Sequence, residues 1–199
     1  MTVHGFHGIN VSDGGDGSVG NLTPAFRRRR IEYRVHDLGW IDPLTARLRA
    51  RSMLERLAPQ IKPSDSIVAH SHGALVAWYL LAAGVSCRSL VLIQPALRRD
   101  TVFPGGVDRV LTLANTGDRV LHLTHAMRLA NPVSWVMPHR WGTAGRHGYT
   151  ISDPRLTTWH TDDDHWPTPA RGHSTVLRDP DVHEWGERIA QWIADHQPA

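Results

Sequence analysis

The sequence has one cysteine, one lysine and no long apolar run. Because Cys87 is alone, no internal disulfide can form, and a small scaffold stapled by bridges is excluded. Its place beside Leu90-Val91-Leu92-Ile93 reads as that of a small buried hydrophobe rather than a catalytic thiol. No stretch approaches the roughly 20 apolar residues that cross a bilayer. The amino terminus, Met1-Thr2-Val3-His4-Gly5, has no basic region followed by an apolar core, so the expectation is a soluble, cytoplasmic protein without a secretory leader. Lys62 being the one lysine, the net charge of +3 is carried almost wholly by arginine. The densest run, Arg27-Arg28-Arg29-Arg30, has no interleaved aromatics and no nucleic-acid fold signature. It reads as the solvated end of a helix, and no nucleic-acid partner is predicted.

What is present fits one domain. A chain of 199 residues, 41% of them apolar, can bury roughly 70% of the surface its unfolded form exposes. No internal repeat is seen. Short apolar runs alternate with helical stretches, the pattern of a parallel sheet with crossover helices. Strands are predicted from Thr2-Val3 into His4, over Ile31–Val35, Ser66–Ala69, Arg88–Ile93 and Val110–Ala114, and last over Leu156–His160. A brief helix is expected around Leu22 to Arg29. Leu44, Leu48, Leu54, Leu57 and Ile61 at helical spacing predict an amphipathic helix from about Pro43 to Pro59. Ala74 to Leu81, apolar nearly all round, predicts a buried helix stopped by Gly84. Val182, Trp185, Ile189, Trp192 and Ile193 predict a closing helix over about Asp181 to His196. The stretch 131–153, rich in Trp, Gly, Pro and His without a period, reads as a lid or loop insertion too short for its own core.

The most informative segment is Ala69-His70-Ser71-His72-Gly73, between an apolar strand and an apolar helix. A serine on so sharp a turn needs small residues two before and two after it, and Ala69 and Gly73 meet that need. The segment therefore reads as a nucleophile elbow, the alternative being a structural turn that happens to hold a serine. A serine hydroxyl is a weak nucleophile near neutrality, so it needs a histidine to take its proton and a carboxylate to fix that histidine. Asp118, in Asn115-Thr116-Gly117-Asp118 just past a predicted strand, is the preferred acid; Asp153 and Asp162-Asp163-Asp164 are its rivals. His173, after the last strand and before the closing helix, is the preferred base, with His165 and His160 as alternatives. The amides of His72, directly after the serine, and Phe6, in the first strand-to-helix loop, are the expected oxyanion donors.

Oxyanion loop, serine, acid and histidine in that order resemble the α/β-hydrolase family, from His4-Gly5-Phe6 through Ala69-His70-Ser71-His72-Gly73 and Thr116-Gly117-Asp118 to Gly172-His173-Ser174. The resemblance covers essentially the whole chain. It implies an α/β fold with a mostly parallel sheet of about six strands and helices on both faces. It further implies a Ser71-His173-Asp118 triad, an acyl-enzyme intermediate, a small-molecule or lipid ester as substrate, and no metal or organic cofactor. There are departures. The family's first two antiparallel strands are missing, Ala69 stands where glycine is commonest, and the interval from Asp118 to His173 is long.

Other patterns are weaker. Gly15-Asp16-Gly17-Ser18-Val19-Gly20 matches a dinucleotide fingerprint formally, but no strand directly precedes it, and it reads as a flexible loop. Asn10, Ser12, Asp13 and Asp16 lack the glutamate that closes a calcium loop. His160 and His165 with Asp162, Asp163 and Asp164 could ligate zinc, yet they read as a polar loop near the site. Trp135, Trp141, Trp159 and Trp166 either line an acyl pocket or pack the insertion onto the sheet.

Overall fold

Every predicted strand forms, and all six lie parallel. In the computed structural model, which describes residues 1–8, 11–39, 46–123, 141–166, 169–178 and 180–195, the strands are β1 (Thr2–Phe6), β2 (Glu32–His36), β3 (Ser66–His70), β4 (Cys87–Ile93), β5 (Val107–Ala114) and β6 (Leu156–His160). Their order in the sheet is β2-β1-β3-β4-β5-β6. Each neighbouring pair is parallel. Among the described residues no antiparallel pair occurs, as the departure from the family pattern implied.

The helices are α1 (Thr23–Arg28), α2 (Ala46–Leu57), α3 (Gly73–Ala82), the short α4 (Ala144–His147) and α5 (Asp181–Ala194). Because helices cover both faces, strand residues are apolar on both sides and alternate between two cores. Leu90 and Leu92 join Phe6, Leu57, Leu75 and Leu80 under α2 and α3. Val91 and Ile93 join Phe26, Val68, Leu111, Trp185 and Ile189 under α1 and α5. Helix α3 stops where Gly84 takes φ +90°. The Val85 amide then reaches back to the Leu80 carbonyl at 3.0 Å, the closing bond of a glycine-terminated helix.

Several boundaries differ from the sequence reading. β1 runs on through Phe6, since Phe6 pairs with His36 and with Ala69 on its two sides. β5 begins three residues early because Cys87 pairs with Val107. Helix α2 gives way at Ala58 to a 3-10 turn through Gln60, with proline at its start; residues 43–45 lie outside the described residues, as does His196. Arg28 and Arg29 do not simply face solvent: both reach Glu187 of α5, at 2.6 and 3.3 Å. Cys87 is buried, and burial with the nearby carboxylates Asp108 and Asp65 pushes its thiol up to about 12.

The glycine-rich stretch after β1 is a built turn rather than a flexible loop. The Asp13 carboxylate accepts the amides of Gly15 at 3.0 Å and Gly17 at 2.8 Å. A 3-10 turn over Val19–Leu22 then leads into α1. Of the expected insertion, 131–140 lie outside the described residues. Its remaining part packs back on the end of β4: a Cβ on Gly145 would fall 2.3 Å from the Gln94 carbonyl carbon, so glycine there permits the contact. Trp141 is buried with Ala96 and Leu121, whereas Trp159 and Trp166 pack against the α5 core.

Beneath α2 lies a buried polar chain. His4 Nδ1 is 2.8 Å from His36 Nε2, and His4 Nε2 is 3.3 Å from Asp65 Oδ2. Asp65 also accepts the amides of Thr2 and Lys62. Burial lowers both histidines, His36 to about 4 with the neighbouring His4 adding to the effect.

Candidate active site

The chain leaves β1 toward β2 on one side, then returns to place β3 on the other. In open parallel sheets, groups that act on ligands gather beyond the carboxyl ends of the strands at such a reversal. Ser71 stands there, one residue past β3, with φ +52°. A left-handed backbone is costly for a non-glycine residue and persists only where the surroundings enforce it. They do so here through main-chain bonds. The Ser71 amide donates to the Ile93 carbonyl at 2.9 Å, and the Ser71 carbonyl accepts from Ala74 at 3.2 Å and Ala96 at 3.0 Å. Gly73 is required for a separate reason. A Cβ there would lie 2.5 Å from the Phe6 carbonyl oxygen and 2.7 Å from that of His7.

That contact brings the end of β1 against the elbow. The loop is pinned by His7, which is fully buried. Its Nε2 accepts the Leu38 amide at 2.9 Å, which leaves Nδ1 as the protonated nitrogen, donating to the Gly8 carbonyl at 2.8 Å. Gly8 consequently lies so close that a Cβ would sit 3.6 Å from Ser71 Oγ. Of the two expected oxyanion donors, His72 directly follows the serine, whereas Phe6 lies not in a loop but within β1, paired with His36 and Ala69, and turns its carbonyl toward Gly73. The His72 ring is buried, which lowers it to about 4, and its edge meets Trp141 with ring centroids 5.8 Å apart.

Asp118 follows β5 and is completely buried, and its Oδ2 lies 2.7 Å from His173 Nδ1. Its other oxygen accepts the Leu121 amide at 3.0 Å, capping the helical turn over 119–123. The rival acids are engaged elsewhere: Asp153 with Arg155, Asp162 with Thr116, and Asp164 with Arg171. The rival base His165 is exposed, near Asp163 and beside Trp166. At His160, the main-chain oxygen takes the Trp166 indole N–H at 2.6 Å.

Ser71 and His173 share one cavity of about 310 Å³, lined also by Gly8, Ser18, Val120 and Trp141. Three side chains around it were invisible to motif reading. His70 sits between Ser18 and Ser174, 3.4 Å from the first hydroxyl and 3.0 Å from the second. Only their convergence in space marks them. Among the described residues, no group of three or more histidine, cysteine or acidic side chains could hold a metal ion.

No family profile matches the chain, and no curated protein matches it in sequence. Solved structures do. An esterase of Pyrococcus furiosus superposes with a TM-score of 0.61 at 12% identity, over 98% of this chain and 81% of that one. A monoacylglycerol lipase of Paleococcus ferrophilus gives 0.59 at 11% identity, over 98% and 94%. A Xanthomonas campestris pv. campestris member of the alpha/beta hydrolase superfamily gives 0.56 at 16% identity, over 98% of both chains. The chain has the α/β-hydrolase fold. At such identities the likeness is one of architecture. In this sheet Ser71 after β3, Asp118 after β5 and His173 after β6 all lie at the carboxyl edge.

Proposed function

We propose that the protein is a serine hydrolase that cleaves carboxylic esters through an acyl-enzyme intermediate, with Ser71 as nucleophile, His173 as base and Asp118 as the carboxylate that orients it. The observation that carries this reading is the 2.7 Å contact between His173 Nδ1 and the fully buried Asp118, on a histidine that shares a cavity with a serine held at φ +52°. A carboxylate that takes the Nδ1 proton as a hydrogen bond leaves Nε2 as the basic nitrogen, the tautomer a general base requires. The fold neighbours named as an esterase and a monoacylglycerol lipase support the same chemistry.

In this mechanism Ser71 Oγ attacks the ester carbonyl carbon while His173 Nε2 takes its proton. The carbonyl oxygen becomes an oxyanion facing the amide of His72, which directly follows the nucleophile. Preorganised donors of this kind are worth about 10²- to 10³-fold each in rate. Collapse breaks the carbon–oxygen bond to the alcohol, which leaves with the proton from His173. Water, deprotonated by the same histidine, then attacks the Ser71 ester and releases the acid.

The test is hydrolysis of p-nitrophenyl esters from acetate to palmitate by the wild type and by Ser71→Ala. The expected result is serine-dependent release, lost by at least about 10³-fold in the variant. Short esters should be cleaved faster, since a cavity of about 310 Å³ lies at the small end of the range for ligand pockets. Equal release by Ser71→Ala would overturn the reading. No release from any ester and no labelling of Ser71 by a fluorophosphonate would favour a binding protein on this fold.

A further inference from the structure

His70 closes β3 directly before the serine, and its ring takes no part in the steps above. It is nearly buried, 5% exposed. Its Nε2 lies 3.0 Å from Ser174 Oγ, its Nδ1 lies 3.4 Å from Ser18 Oγ, and its ring centroid is 4.9 Å from that of His173. Three separate segments therefore meet at this one side chain: the elbow, the glycine-rich turn after β1, and the loop that carries His173.

The last of these needs holding. His173 is flanked by Gly172 at φ +115° and Ser174 at φ +67°. Glycine adopts such a conformation freely, but a serine does not. The loop is anchored on the β5 side, where Gly172 donates to Asn115 Oδ1 at 3.2 Å and His173 bonds Asp118. On the side facing the elbow, the Ser174 hydroxyl meets His70. The ring suits this place. Its burial, with the neighbouring His173, His7 and Arg178, keeps it well below the ordinary histidine range and hence neutral. A neutral imidazole offers one N–H and one lone pair, and a hydroxyl can answer either. A neutral ring also sets no positive charge against the one His173 acquires when it takes the serine's proton.

We infer that His70 is a positioning residue: through Ser174 it holds the His173 loop in its left-handed turn over Ser71, and through Ser18 it ties the glycine-rich turn to the same point. The inference rests on the Ser71-His173-Asp118 reading. Misplacing a base by about 1 Å can cost on the order of 10²-fold in rate. A lost tether should therefore act on turnover, leaving the binding of a small ester nearly unchanged.

The experiment compares wild type, Ser174→Ala, His70→Leu, His70→Gln and the double variant His70→Leu/Ser174→Ala. It reads kcat and KM on p-nitrophenyl acetate, the rate at which a fluorophosphonate labels Ser71, and the melting temperature. Ser174→Ala and His70→Leu should each lower kcat and the labelling rate by about 10- to 100-fold, with KM within about twofold. The double variant should be no slower than His70→Leu, because both changes remove one contact. His70→Gln, whose amide reaches toward the place of Nε2, should recover most of the rate. Ser174→Ala should melt close to wild type and decides the matter if His70→Leu does not fold. Wild-type labelling of Ser174→Ala, or losses that multiply in the double variant, would overturn this inference alone. An unlabelled wild type would overturn the hydrolase reading and this inference with it.

Discussion

Asp118 divides its two oxygens between two tasks, Oδ2 toward His173 and Oδ1 toward the Leu121 amide. Its variants separate them. Asp118→Asn keeps a cap oxygen but offers the histidine an amide, so ester hydrolysis should fall by about 10³- to 10⁴-fold with little change in melting temperature. Asp118→Ala loses the cap as well and should cost about 1 kcal/mol more in stability, measured by urea unfolding. Gly73→Ala probes the opposite wall. Its methyl would meet main-chain oxygens of Phe6 and His7 at 2.5 and 2.7 Å, and backbone has no cheap way to give. The end of β1 would be pushed away from the serine, and turnover should drop by about 10²-fold or more, together with a lower melting point. Residues such as Gly73 are legible in the sequence because the elbow imposes its demands on adjacent positions. His70 was not legible: its partner Ser174 is 104 positions away, and nothing local announces the contact.

Among elements, the pairing of β1 with β2 carries an acid-sensitive seam. His4 and His36 stack at 5.0 Å and are bonded ring to ring. Burial lowers His36 to about 4 in the folded protein, against about 6.5 in an unfolded chain. Between those values the unfolded state binds more protons, so stability is full above about pH 6.5 and is lost as pH falls toward 4. The urea midpoint should decline through that window, and His36→Gln should flatten the decline. A midpoint constant from pH 7 to 4 would contradict this account. On the opposite face, α5 seats Trp185, fully buried and edge-on to Trp166 at 5.1 Å. Trp185→Ala should cost about 3–5 kcal/mol in unfolding free energy. Both helices at issue were readable, α5 from its apolar stripe and α3 from its lack of a polar face. The end of α2 is legible only to within two residues, because the 3-10 turn over Ala58–Gln60 is not distinguished by periodicity from one more helical turn.

For the whole molecule, the sheet order explains why residues so distant in sequence converge. Parallel strands all end on one edge, so Ser71 after β3, Asp118 after β5 and His173 beyond β6 are delivered to the same side. The order of the predicted strands along the chain places these three positions at one edge, which is what the sheet order requires of them. In sequence the turn between β1 and α1 reads as a flexible loop, because no strand directly precedes its glycines. What orders it is the carboxylate of Asp13 and the His70 contact, both matters of three-dimensional neighbourhood.

One buried atom turns this architecture into a gauge of its own motion. Cys87 opens β4, paired with Val107 of β5, and it is the sole thiol in the chain. With its thiol pushed up to about 12 and packed in the core under α2 and α3, alkylating reagents can act only when that packing opens. The rate of iodoacetamide capture in native buffer should therefore count openings of the core packed over β4, and should stop depending on reagent concentration once capture outpaces reclosing.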